Sequence, residues 1–142
     1  NQLDLALADY RAALKIDSQN SRALFNVGQI RMIQKRYTDA EKYFRPALAR
    51  AASDPQLAAR IHYSLGFCLH HRGNPAQAIP EFDAAIAREP NVPEFYFWRG
   101  IARRATRDET NARNDFARVV ELAAVTNPEL AAQARSMVEG NK

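Results

Sequence analysis

The chain carries one cysteine, Cys68, in 142 residues. A lone thiol excludes an internal disulfide and any site built from several thiolates, and it leaves the compartment open. No apolar run approaches the roughly 18 residues of a membrane-spanning helix, so this segment is not expected to insert into a bilayer. No stretch alternates with the two-residue period of a strand. Glycines number five and prolines seven, and most sit between apolar runs, not inside them. The sequence suggests no Ser-His-Asp or Cys-His set, and no phosphate-cradling glycine loop occurs. Carboxylate pairs such as Asp108-Glu109 fall at expected helix starts, where the helix dipole accounts for them. His62, His70 and His71 lack a further ligand at a useful spacing, and neighbours on a helix point about 100° apart. Neither catalysis, a metal nor any other cofactor is expected.

What is present is a repeat. Ala40, Phe44 and Ala47 are preceded 34 positions earlier by Ala6, Tyr10 and Ala13, and followed 38 later by Ala78, Phe82 and Ala85. Ala112, Phe116 and Val119 stand 34 beyond those, and Gly28, Gly66 and Gly100 keep the same beat. A period of this size marks stacked helix pairs, each too small to bury its apolar face alone. The four extra residues are about one helical turn, expected as a lengthening of the helix that begins at Pro55.

Helices are predicted over 2–16, 21–34, 38–51, 55–72, 75–88, 91–106, 109–124 and 128–138. Thr38 and Glu41 have the spacing of a capping box. Asp54, Asn74 and Asn127 precede Pro55, Pro75 and Pro128 as N-caps before a proline at the first helical position. The expectation is a single all-α solenoid domain over 1–142. It divides into a half repeat (1–17), repeats at 21–52, 55–90 and 92–124, and a closing cap (127–139). A start at Asn1, inside a repeat, suggests a piece of a longer protein.

These residues resemble the tetratricopeptide repeat family, whose 34-residue unit is a helix A followed by a helix B. The first full repeat offers Leu24, Val27-Gly28, Tyr37, Ala40, Phe44 and Ala47-Leu48. The second offers His62, Leu65-Gly66, Leu69, Gly73, Ala78, Phe82, Ala85-Ile86 and Pro90. The third offers Tyr96, Arg99-Gly100, Ala112, Phe116 and Val119-Val120. His62 and Arg99 stand where large apolar residues are usual, and Asp108-Glu109 imply a different A–B turn in the third repeat.

The resemblance implies a right-handed superhelix of antiparallel helix pairs whose A helices line a concave wall. Carried over position by position, the ligand-facing residues are Arg22, Phe25, Gln29, Met32 and Ile33, then Arg60, Tyr63, Phe67, His70 and His71. The third repeat adds Glu94, Phe97, Ile101, Arg104 and Ala105, with Trp98 beside them. A carboxylate clamp known in the family is only partly matched, by Asn26 and Arg60, with Ser64 where an arginine is needed.

Net charge is +4, and its placement tells more than its size. The expected A helices hold Arg22, Arg31, Lys35, Arg36, Arg60, Arg72, Arg99, Arg103, Arg104 and Arg107 against one acid, Glu94. A basic, aromatic wall implies a non-catalytic scaffold for a protein or peptide partner with acidic and apolar residues. The alternative is an assembly module that self-associates through residues 2–16 or packs within a larger protein. Nucleic-acid binding through the arginines ranks below both.

Overall fold

The computed structural model describes residues 2–140, so Asn1, where the expected half repeat begins, and Asn141 and Lys142, at the chain's end, lie outside the described residues. The described residues form eight α-helices and no strand: α1 (Gln2–Ile16), α2 (Ser21–Ile33), α3 (Tyr37–Arg50), α4 (Pro55–His71), α5 (Pro75–Arg88), α6 (Pro93–Ala105), α7 (Glu109–Ala123) and α8 (Pro128–Glu139). Each helix packs on the next, and α2 also touches α4 as α4 touches α6. Helices α2, α4 and α6 are therefore A helices sharing an inner layer, and α3, α5 and α7 are their B partners. The extra turn lies where the spacing put it, since α4 has 17 residues and α2 and α6 have 13 each.

One contact, made three times, holds the pairs together. A β-carbon on Gly28 would stand 2.5 Å from the Phe44 ring, one on Gly66 2.8 Å from Phe82, and one on Gly100 2.9 Å from Phe116. The three phenylalanines are fully buried. Each ring fills the space that the missing side chain opens, which is why the glycine and the aromatic keep one period.

The A–B turns are also alike. Lys35, Gly73 and Arg107 all have left-handed φ (58°, 80° and 66°). The N–H groups of Arg36, Asn74 and Asp108 close the turns onto the carbonyls of Arg31, Leu69 and Arg103. The third turn therefore matches the other two, against expectation, because Arg107 accepts a backbone geometry usually left to glycine.

Three local expectations fail. Helix α3 begins at Tyr37 with Thr38 exposed, and Glu41 turns inward to Arg72 and Arg45 (3.2 Å). Arg36 and Lys42 instead gather on Asp39, at 2.6 and 3.0 Å. Asn74 makes no side-chain cap bond, and the Gln77 N–H donates to the Asn74 backbone carbonyl instead (3.2 Å). Helix α6 starts at Pro93, not Asn91, and the Tyr96 hydroxyl donates to the Pro90 carbonyl (2.9 Å) in the turn before it. Asp54, Asp108 and Asn127 do cap, accepting from the N–H groups of Leu57, Asn111 and Leu130. Pro46 and Pro80 lie inside α3 and α5, on exposed positions.

The two residues that departed from the repeat pattern each meet a carboxylate. His62 meets Glu81 of α5 at 2.7 Å. Arg99 lies 2.6 Å from both Asp83 and Asp115, and Arg103 adds a 2.8 Å contact to Asp115, which is 3% exposed. Burial opposes the Arg99 charge, but the two carboxylates hold its guanidinium above the ordinary value.

Candidate functional site

Helical spacing sets the inner face. Residues three and four apart on an A helix share one side, so Arg60, Tyr63, Phe67, His70 and His71 follow one another along α4. The Phe67 ring stacks on His71 (centroids 4.0 Å apart) and meets the edge of Trp98 from α6 at 4.6 Å. Tyr37, from the first A–B turn, closes on His71 at 5.1 Å and on Phe67 at 6.2 Å. Tyr63 continues the chain of rings to Phe95 (5.2 Å), Phe82 (6.1 Å) and Phe67 (6.4 Å), and burial, aided by Glu94, pushes its phenol up to about 12. Phe67, His70, Trp98 and Tyr63 are half-buried and His71 is exposed. Tyr37 from α3, Tyr63, Phe67, His70 and His71 from α4 and Trp98 from α6 thus form a partly open wall of rings, backed by the buried Phe82 and Phe95. Tyr37 and Phe95 were not among the expected binding positions.

The two imidazoles differ. His71 Nδ1 lies 2.9 Å from the Phe67 carbonyl and donates to it, leaving Nε2 free to accept. His70 Nδ1 is buried without a partner, 5.8 Å of ring separation from Trp98. Burial, then the neighbouring His71 charge, lowers the His70 pKa. A neutral His70 with its proton on Nε2 costs least there.

Beside this wall lies a depression shared by all three A helices. Gln29 lines it from α2, Arg60 and Tyr63 from α4, and Glu94 and Phe95 from α6, with Glu89 and Val92 at the rim. Its floor is held by a relay in which Gln29 Nε2 donates to Ser64 Oγ (2.9 Å) and Ser64 Oγ donates to the Arg60 carbonyl (2.8 Å). Ser64, the non-matching clamp position, is fully buried and committed to that relay.

Other expected site residues are engaged elsewhere. Phe25 is 2% exposed and packed in the core, 5.8 Å from Phe44 and beneath the Arg60 guanidinium at 5.0 Å. Arg22 pairs with Asp54 at 2.8 Å, and the Leu57 N–H together with Arg22 holds that carboxyl below its usual value. Met32 packs on the first core cluster, while Ile33 and Ala105 are exposed. Phe97 and Ile101 pack with α7 and α8. Arg104 donates to the Met137 carbonyl at 2.7 Å, so it fastens α8 and is not a free groove cation.

The expected basic wall is likewise narrower. Arg22, Arg36, Arg72, Arg99, Arg103 and Arg104 all reach carboxylates from caps and B helices. The sequence separates the charges by helix, and antiparallel packing brings them back together. Among the described inner-face cations, Arg60 makes no such pair, and it shares its depression with Glu94 and Glu89.

Two family models described as tetratricopeptide repeat match residues 19–88 and 71–128. No curated protein matches the chain by sequence. Among solved structures, the chain is similar to the type III secretion translocator chaperone SycD of Yersinia enterocolitica, with TM-score 0.75 and 21% identity over 91% of this chain and 95% of that one. PcrH from Pseudomonas aeruginosa gives TM-score 0.75 and 25% identity over 84% and 89% of the respective chains. MamA from Desulfovibrio magneticus RS-1 gives 0.76 and 21% over 89% and 69%. Eight helices among the described residues, a thrice-repeated glycine–phenylalanine crossing and both model matches agree: the chain belongs to the tetratricopeptide repeat family.

Proposed function

We propose that the inner face of α2, α4 and α6 holds a peptide or helix of a protein partner and performs no chemical step. The observation that carries this reading is the open ring wall of Phe67, His71 and Trp98 next to the depression containing Arg60. Partly exposed aromatics beside an arginine are the residue types that dominate binding energy at interfaces. Relatives of this fold support it: PcrH has been solved with the chaperone-binding region of PopD, and SycD with a peptide of YopD.

The partner chemistry is more specific than a basic wall implied. An apolar or aromatic anchor fits against Phe67 and Trp98. Arg60 takes a carboxylate, while Glu94 and Glu89 take a basic or amide donor, so the segment carries both signs. Gln29, Tyr63 and His70 add polar contacts.

Partner capture by the wild-type chain, by Phe67→Ala and by Arg60→Glu tests this. The reading expects a partner held by wild type and lost, by tenfold or more in affinity, in both variants. Equal capture by all three would move the working surface elsewhere.

A further inference from the structure

Arg31, in the last turn of α2, is a buried charge without a counter-charge. It is 9% exposed, and its guanidinium donates to the neutral Gln34 amide oxygen (2.8 Å) while pairing with no carboxylate among the described residues. The repeat shows what is missing. The third-repeat counterparts of Arg31 and Tyr43 are Arg103 and Asp115, which pair at 2.8 Å. In the first repeat a tyrosine stands where the carboxylate belongs. A guanidinium withdrawn from water is costly until an anion meets it.

The Arg31 side chain lines a depression of about 270 Å³ with Arg36, Asp39, Lys42 and Tyr43. All five residues come from α2, α3 and the turn between them, so one helix pair builds the whole site. The turn sets Arg36 beside Arg31, since the Arg36 N–H closes on the Arg31 carbonyl at 2.8 Å. Asp39, Lys42 and Tyr43 share one face of α3 by their three- and four-residue spacing. Arg36 and Lys42 both donate to Asp39, at 2.6 and 3.0 Å. Three cations around one carboxylate still leave a net charge of +2. Helix α3 also starts here without a side-chain cap, so the positive end of its dipole adds to the same field.

We propose that this depression binds a phosphoryl group, carried by a small free ion. A phosphate monoester has about −1.5 to −2 charges at pH 7 and three acceptor oxygens, which matches the net charge and gives Arg31 the charged acceptor it lacks. Arg36 and Lys42, both exposed at the rim, supply further donors. Tyr43 packs into the core clusters, and the other lining residues offer no ring or aliphatic side chain to anchor a polypeptide. None of these residues belongs to the ring wall or to the depression beside it, so the inference does not rest on the reading given for the inner face.

Titration of the full chain with inorganic phosphate, at ionic strength held constant with sodium chloride and followed by nuclear magnetic resonance, tests it. Saturable shifts confined to residues 31–43 are expected, with a dissociation constant on the order of 1 mM. Arg31→Gln should weaken binding about tenfold. Lys42→Gln, at an exposed position, tests the site with the fold intact and should weaken it severalfold. Tyr43→Asp, which restores the third-repeat pair, should abolish it. Arg50→Gln removes the same charge from the exposed far end of α3 and should leave binding unchanged. No saturation at ten times that concentration, undiminished binding by Arg31→Gln and Lys42→Gln, or an equal loss with Arg50→Gln would overturn the inference. Tighter binding of N-acetyl-phosphoserine amide than of inorganic phosphate would overturn the assignment to a small free ion.

Discussion

Gly28, Gly66 and Gly100 sit in helix interiors, where alanine is ordinarily better by about 1 kcal/mol. Here a methyl group would drive into a fully buried ring, and overpacking of that kind costs about 1–3 kcal/mol. Gly28→Ala, with the closest approach (2.5 Å), should lower the denaturant midpoint more than Gly100→Ala does. The opposite sign is expected at the left-handed turn residues. Lys35→Gly and Arg107→Gly relieve a strain of about 1–2 kcal/mol against a smaller entropic loss, so each should raise the melting temperature by a few degrees. Asp115→Ala removes the buried carboxylate shared by Arg99 and Arg103, leaving Arg99 its bond to Asp83, and should cost about 1–3 kcal/mol. At His70 the folded chain disfavours the proton, through burial and then the His71 charge. The unfolded chain therefore binds more protons as pH falls below the ordinary value of 6.5, and stability declines in that window. Urea melts at pH 7.5 and 5.5 should show a larger loss in wild type than in His70→Gln.

At the scale of elements, the boundaries were largely legible in the sequence. Asp54-Pro55 and Asn127-Pro128 announce helix starts through local chemistry that no tertiary contact overrides. The capping-box spacing at Thr38 and Glu41 misled because the inner arginine at position 72 competes for the same carboxylate. Burial was legible where the period is strict, as at Phe44 and Phe82. It was not legible at Phe25 or Arg104, since whether an inward position meets solvent or a neighbouring helix depends on how closely the pairs stack. Arg104 illustrates this: its spacing marks it as groove, and α8 takes it. Pro80 lies in the second turn of α5, where it removes a backbone hydrogen bond on an exposed face. Pro80→Ala should stabilise the chain by about 1–3 kcal/mol, measured by thermal melting.

For the molecule as a whole, the repeat makes stability a sum of neighbouring interfaces, with each A helix supported by two B helices. The arrangement leaves the inner face partly open around Phe67, His71 and Trp98, while ion pairs engage most A-helix arginines both within repeats, as at Arg99–Asp115 and Arg104–Glu109, and between them, as at Arg22–Asp54 and Arg72–Glu41. Sequence alone exposed the segregation of charge but not its cancellation, because the partners of Arg22, Arg72, Arg99 and Arg103 lie 12 to 32 residues away. Site-specific photo-crosslinking tests the central claim most directly. A photoreactive side chain is placed in turn at Gln29 and His71 on the inner face, and at Lys42 and Asn114 on exposed positions of B helices. The account predicts a discrete protein adduct from positions 29 and 71 that disappears in the Phe67→Ala background, and none from 42 or 114. Adducts confined to 42 and 114, or adducts at 29 and 71 that persist without the Phe67 ring, would contradict it.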